Sequence, residues 1–346
     1  MINHKKIRKS LKLNKENIRK YNKRYYKFIK GFFILLFFIV CIISMLSKFS
    51  LSKFNPIKNV CLCLIAKNEN KYIKEFVEYY KNFGIDKIFL YDNNDPTGEN
   101  FENAINNYIK KGFVELINFR GISTAQLRAY NDCYQKNKIN YDWLIFFDAD
   151  EFIYLKDFNN IKLFLADKRF YKCEGIQLNY VYYTDNNLIY YENKSVIERF
   201  PERSYKTGKK VWHRSNVKSI IRGNLKNISI TNVHYLSLKL KICNGFGKKV
   251  NIFHLHTLNI DFNFYYLIHY FSKSLEEFVE KLMRTDAVFS KDSKMKRIKQ
   301  YLKYNSITKE KLYYLENSTK IDIKKIMSKN TLFKFALISV FKICLD

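Results

Sequence analysis

The sequence predicts an α/β protein built on a doubly wound, mostly parallel sheet behind an N-terminal transmembrane helix. Three observations carry that expectation. Between Val60 and Phe147, short apolar runs and amphipathic stretches alternate four times, the rhythm of strands covered on both faces by crossover helices. An uncharged run from Phe32 to Leu46, FFILLFFIVCIISML, follows directly on Lys27 and Lys30. The fourth apolar run opens onto three acids, Asp148, Asp150 and Glu151, where such a sheet presents the carboxyl ends of its strands to ligands.

The N-terminus comes first. From Met1 to Lys30 twelve Lys or Arg stand against the single Glu16, so eleven charges of the net +30 sit in a tail ahead of the apolar run. That run is shorter than the roughly 20 residues that span a bilayer, and Gly31 with the stretch to Leu51 lengthens it. The expected organisation is a basic cytoplasmic tail over 1–30, a signal anchor over 31–51, a folded domain over 56–290 and a basic helical extension over 291–346. The positive-inside rule puts everything after Lys53 on the far side of the membrane, a type II arrangement. A long basic region and the lack of an A-x-A-like site argue against a removed signal peptide. Sequons at Asn193, Asn227 and Asn317 agree with a luminal domain, in the Golgi or endoplasmic reticulum if the chain is eukaryotic, and otherwise membrane-associated.

Val60 to Ala66 (VCLCLIA) has the length of a buried parallel strand. Ile73, Phe76, Val77, Tyr80 and Phe83 then recur at helical spacing, with Gly84 where a C-terminal cap belongs. KIFLY (Lys87 to Tyr91) gives a second strand, closed by the turn-rich Asp92 to Pro96. Phe101 to Ile109 reads as helix, Phe113 to Phe119 as strand, Thr124 to Lys136 as helix and Trp143 to Phe147 as a fourth strand. Beyond Tyr154 the pattern loosens into a helix near Ile161 to Asp167, strands at Gly175 to Tyr183, Lys218 to Ile221 and Ile228 to Leu236, and a long helix after Phe262. Thr331 to Leu345 reads as a packed terminal helix.

Composition excludes some classes. With 47% apolar residues and 17% aromatics over 346 positions the chain builds a large core. No zinc finger, RNP-like run or basic zipper accompanies the positive charge, so nucleic acid is not the expected partner; a membrane and a phosphorylated small molecule are. Seven cysteines form no CxxC pair, and the one C-x-C lies in an apolar strand. They read as buried thiols rather than structural zinc ligands or a disulfide framework.

Asp148-Ala149-Asp150-Glu151 carries the chemistry. In an extended segment carboxylates two apart point to one side, and the small residue between them leaves room for a hard cation such as Mg²⁺ or Mn²⁺. A cation there stabilises charge building on a leaving diphosphate. Lys67, Asn68 and Glu69 follow the first strand, and Asp92 and Asn93 the second, all converging at the same sheet edge to hold a base and ribose.

Four blocks give the chain a resemblance: LIAKNENKYIKEFVEYYKNFGIDKIFLYDNN (Leu64 to Asn94), WLIFFDADEFI (Trp143 to Ile153), VIERFPER (Val196 to Arg203) and HYFSKSLEEFVEKLMR (His269 to Arg284). In these it is similar to the bacterial and eukaryotic glycosyltransferases grouped as family 92 and their family 2-like relatives, over roughly Cys61 to Ala287. The resemblance implies a GT-A fold, a UDP- or GDP-sugar donor, a glycan or glycoconjugate acceptor, Mn²⁺ or Mg²⁺ held at Asp148 and Asp150, and inversion at the anomeric carbon. It carries over Glu151 as catalytic, Lys67, Asn68, Glu69, Asp92 and Asn93 as donor-binding, His269 as a third metal ligand and Lys273, one helical turn on, as a phosphate partner. His234, His254 and His256 compete with His269. Thr285 and Gly223 depart from the pattern, where Gly and Pro are expected, and both concern the acceptor side. Inversion needs a carboxylate base, expected at Asp185, with Glu198 and Glu202 as alternatives unless they pair with Arg199 or Arg203. Two rival readings remain, a phosphatase with an Asp-x-Asp nucleophile and a non-catalytic polyanion-binding membrane protein. Against the phosphatase, Asp148 lies some eighty residues too late in the chain and Phe152 stands where that class has Thr or Val.

Overall fold

The computed structural model describes residues 20, 22–42, 56–204, 216–234, 240–250, 263–283 and 291–323. The chain divides into two units, Met1–Asn55 and Pro56–Asp346. In the first, helix α1 (Asn22–Ile42) runs 21 residues with a mean hydropathy of 2.0, and among the described residues it alone is long and apolar enough to cross a membrane. Its Phe and Leu side chains and those of Ile34, Ile39 and Ile42 are exposed.

The second unit begins with β1 (Val60–Ala66), β2 (Lys87–Asp92), β3 (Val114–Asn118) and β4 (Trp143–Phe146), all parallel, in the order β3-β2-β1-β4. Helices α2 (Asn70–Asn82) and α3 (Glu102–Lys110) cover one face, and α4 (Gln126–Asn137) the other. The pleat of β1 explains the division, because its side chains alternate: Leu62 and Leu64 pack with Ile73, Phe76, Val77 and Tyr80 of α2, while Cys61 and Cys63 pack with Ala129, Tyr130, Cys133 and Tyr134 of α4. The β-branched and aromatic residues of α2 are mediocre helix formers. Each such side chain fully buried is worth about 1.5–3 kcal/mol, so packing rather than propensity holds this helix. It ends as expected, with Gly84 at φ +91 just past the cap residue Phe83. A Cβ at Gly84 would also meet Asn160 Nδ2 at 2.3 Å.

The remaining elements are β5 (Glu151–Leu155), α5 (Ile161–Leu165), β6 (Gly175–Tyr182), α6 (Val196–Arg199), β7 (Val217–Arg222), β8 (Ile242–Asn244), β9 (Tyr265–His269), α7 (Leu275–Met283), α8 (Lys291–Tyr304) and α9 (Lys309–Thr319). β7 adds antiparallel to β4, β6 antiparallel to β7, β9 parallel to β6 and β5 antiparallel to β9, with β8 beside the start of β6. The sheet is therefore mixed and mostly parallel, with helices on both faces, as the sequence predicts.

Three expectations are corrected. Residues 228–234 form no strand; Asn131 of α4 holds this stretch by bonding Ile230 through both its amide groups. After residue 262 a strand comes before any long helix, because YYLIH pairs on both edges, with β5 and with β6. Cys63–Cys133 and Cys173–Cys243 are disulfides rather than thiols, each closing a separation of 70 residues with Cα atoms 6.1 and 5.9 Å apart. Spacing along the chain gave no hint of either pair. Cys61, on the same face as Cys63, stays a buried thiol whose pKa is raised by burial. The terminal segment Thr331 to Leu345 lies outside the described residues. Gly223 has a local reason: a Cβ there would meet the Tyr141 carbonyl oxygen at 1.8 Å.

Candidate active site

In the parallel half of the sheet the strand order reverses between β1 and β4, and a crevice opens there beyond the strand ends. A cavity of about 740 Å³ occupies it, reached by Lys67 and Glu69 after β1, Asn93 after β2, Asp148 and Asp150 after β4, and His269 at the end of β9. Arg297 and Gln300 of α8 and Lys281 of α7 also line it.

Asp148 and Asp150 share the cavity, but the segment is a turn rather than extended. The Asp148 amide donates to Glu151 Oε2 at 2.9 Å and the Glu151 amide to the Asp148 carbonyl at 3.1 Å, a reciprocal closure that fixes both acids. Asp148 Oδ1 accepts from Gln126 Nε2 at 2.7 Å and Tyr130 OH at 2.9 Å, both on α4, and pairs with Lys218 Nζ of β7 at 2.7 Å. Its side chain remains a third exposed. Glu151 lies beneath the floor, with no exposed surface. Tyr180 OH donates to its Oε1, and Lys218 Nζ stands 3.6 Å from Oε2. Burial pushes the Glu151 carboxyl up to about 8, with Lys218 pulling the other way and Asp148 and Asp150 adding to the rise. Glu151 thus shapes the turn from below and does not face the cavity.

Asp150 is 5% exposed. Its Oδ2 lies 2.5 Å from Lys281 Nζ and 3.5 Å from His269 Nε2. Burial works against its charge, yet Lys281, His269 and Lys273 prevail and hold the carboxyl well below the ordinary range. Ligand atoms of Asp150, Glu151 and His269 all lie within 4.8 Å of one another. Of these, Asp150 and His269 reach the cavity, and a carboxylate beside an imidazole suits a hard or borderline divalent cation. The imidazole points the same way: its Nδ1 is buried and has no hydrogen-bond partner among the described residues, and Nε2 stands at the edge of hydrogen-bond range. A buried polar ring so poorly satisfied by protein suits a bound ion.

The other expected residues divide. Lys67 reaches the cavity and pairs with Asp95 at 2.8 Å. Asn93 lines it while donating to the Phe119 and Ile122 carbonyls, both at 2.8 Å. Asp92 does not line it; it is buried, accepting from the Asn94 amide and from Arg120 Nε at 2.8 Å. Asn68, at φ +54, supplies a turn whose amide donates to Asn94 Oδ1. Lys273 is not a helical turn beyond His269 but sits in a tight turn at φ +52, 6% exposed, with Nζ 3.4 Å from Glu69 and over the Tyr72 ring at 3.5 Å. Burial lowers its pKa.

Asp185 is placed away from the cavity. It is 1% exposed and paired with Lys311 Nζ at 2.7 and 2.9 Å, and Tyr301 OH donates to it at 2.5 Å. It ties the loop after β6 to α8 and α9. Glu198 and Glu202 are exposed; Arg199 pairs with neither and instead clamps Glu277. His234 borders the cavity, its pKa lowered by burial and by Lys218, while His254 and His256 lie outside the described residues. Sequence reasoning missed Gln126, Tyr130, Tyr180, Lys218 and Lys281. Lys218 offered one signal, a lone lysine inside the apolar strand VKSII.

Acids at the reversal of a mostly parallel sheet, with lysines paired to them, stand where α/β sheets bind their ligands. The profile of glycosyltransferase family 92 matches residues 59–324, and the chain belongs to that family. A family 92 protein of Ricinus communis is 27% identical over 96 residues, 28% of this chain and 17% of that one. One of Arabidopsis thaliana is 26% identical over 104 residues, 28% and 16% of the two chains. The matched stretch therefore spans about a sixth of these curated relatives. Among solved structures, residues 1–349 of S. aureus TarS align over 71% of both chains at 10% identity, TM-score 0.36. GalNAc-T7, solved with UDP, GalNAc and Mn²⁺, aligns over 38% of this chain and 24% of its own at 16% identity, TM-score 0.28. Both likenesses are distant, and the fold class rests on the sheet itself.

Proposed function

We propose that the chain transfers a hexosyl group from a nucleotide diphosphate sugar, UDP- or GDP-linked, to a glycan or glycoconjugate acceptor, with inversion and with Mn²⁺ or Mg²⁺. The observation that carries this reading is the meeting of Asp148, Asp150, His269 and Lys67 in one cavity at the reversal of strand order, in a member of this family. Asp150 and His269, joined by the open side of Asp148, would hold the ion, which when bound supplies positive charge against the leaving diphosphate.

The protein's own groups do the rest. Gln126, Tyr130 and Lys218 all hold Asp148 by its Oδ1, so little reorganisation is needed when the donor arrives. Lys67 and Asn93 stand at the tips of β1 and β2, in reach of a nucleotide lying across them. In an inverting transfer a carboxylate takes the acceptor hydroxyl's proton; since Asp185 is buried in an ion pair, the base is sought among acids lining the cavity, Glu69 and Asp95. Anchorage through α1 as a type II protein fits the basic tail, the exposed sequon residues Asn193, Asn227 and Asn317, and two disulfides, which persist in oxidising compartments.

The test is nucleoside diphosphate release by the purified full chain across common donors, with and without Mn²⁺, beside Asp150→Ala. Donor- and Mn²⁺-dependent release that the substitution abolishes is expected. Undiminished, metal-independent turnover in the variant would end the reading.

A further inference from the structure

Lys281 occupies ground that a divalent ion needs. Its Nζ lies 2.5 Å from Asp150 Oδ2, the same oxygen that faces His269 Nε2 at 3.5 Å. An ion bound to that oxygen sits about 2–2.3 Å from it. Two cations would then stand only about 4 Å apart across one carboxylate oxygen, where unit charges repel by about 4 kcal/mol even at an effective dielectric of 20. Ammonium and metal cannot share the oxygen.

The position of Lys281 is built. It lies on α7 one turn after Glu277, which is 2% exposed and clamped by Arg199. The side chain is 25% exposed and lines the cavity, so its flexible stem has free space to turn into. Without a positive neighbour the 5% exposed Asp150 carboxylate would be a buried, uncompensated charge.

We infer that Lys281 holds the cation position of the ligand-free protein. A divalent ion enters by displacing its ammonium from Asp150, and the freed ammonium turns to the donor's diphosphate. Lys281 is then a positioning residue that sets metal affinity and couples it to donor binding. This rests on the metal-dependent reading above, and the experiment separates the two.

Mn²⁺ binding to the full chain is titrated without donor, following free Mn²⁺ by electron paramagnetic resonance, for wild type, Lys281→Met and Lys281→Arg. Removing the charge should tighten Mn²⁺ binding by about tenfold or more, while Lys281→Arg stays near wild type. With Mn²⁺ saturating, UDP should bind Lys281→Met more weakly than wild type. Lys281→Gln gives the same comparison if the Met variant does not fold. Equal or weaker Mn²⁺ binding in a folded neutral variant overturns this inference and leaves the metal-dependent reading standing. No Mn²⁺ binding to any of the proteins overturns both.

Discussion

Glu277, buried on α7 one turn before Lys281, lends itself to a quantitative test. Its carboxylate accepts from Arg199 at 2.6 and 3.0 Å, from Tyr72 OH at 2.5 Å and from the Ser274 amide at 3.0 Å. Arg199 and Glu277 side chains are 1% and 2% exposed. Burial opposes ionisation, but the bonds from Arg199, Ser274 and Tyr72 prevail and carry the pKa from 4.5 down to about 2. Glu277→Gln keeps the shape and imitates the protonated acid. The shift of about 2.5 pH units corresponds to about 3 kcal/mol. Because the folded-state value is depressed, that stability is present above 4.5 and is lost as pH falls through about 2. Urea unfolding of wild type and variant should therefore differ by about 3 kcal/mol near neutral pH, with the gap closing toward zero below about pH 2.5. A neutral-pH gap under about 1 kcal/mol, or one that persists in acid, would refute the claim that this buried pair holds α7 in place.

Other outcomes follow from the same structure. Asp150→Asn should lower kcat/KM by at least about a hundredfold in a nucleoside diphosphate release assay, with a folded protein by circular dichroism. Cys133→Ala should lower stability by about 4 kcal/mol, measured as a loss in denaturant midpoint that dithiothreitol, which opens both bridges, exceeds in wild type. Asp185→Asn strips the partner from the 1% exposed Lys311, so a loss of about 3–5 kcal/mol in unfolding free energy is expected, with turnover retained by the folded fraction. A hundredfold fall in kcat at unchanged stability would instead return Asp185 to the role of base.

What the sequence disclosed was what short-range pattern determines. β1 to β4 and their helices follow from runs of apolar residues at period two or 3.6, and Gly84 marks its cap by backbone conformation alone. Asp148 and Asp150 were legible because acids directly after a buried strand must emerge at the sheet's carboxyl edge. Pairings between distant segments were not legible. YYLIH became a strand only because two partners wait on its edges. The pairs Cys63–Cys133 and Asp185–Lys311 join residues 70 and 126 positions apart, and no local pattern encodes such meetings. Asp92 and Asn93 illustrate a subtler miss. Turn formers at a strand tip look alike in sequence, yet the first faces Arg120 in the interior and the second borders the cavity.

The Cys63–Cys133 bridge staples β1 to α4, and α4 is the helix whose Gln126 and Tyr130 grip Asp148. A bond that survives only away from the thiol-reducing cytosol therefore underpins the geometry of the acidic turn. Competence in this protein becomes conditional on address: a copy stranded among reductants would carry every required side chain and lack the strut that keeps them aligned.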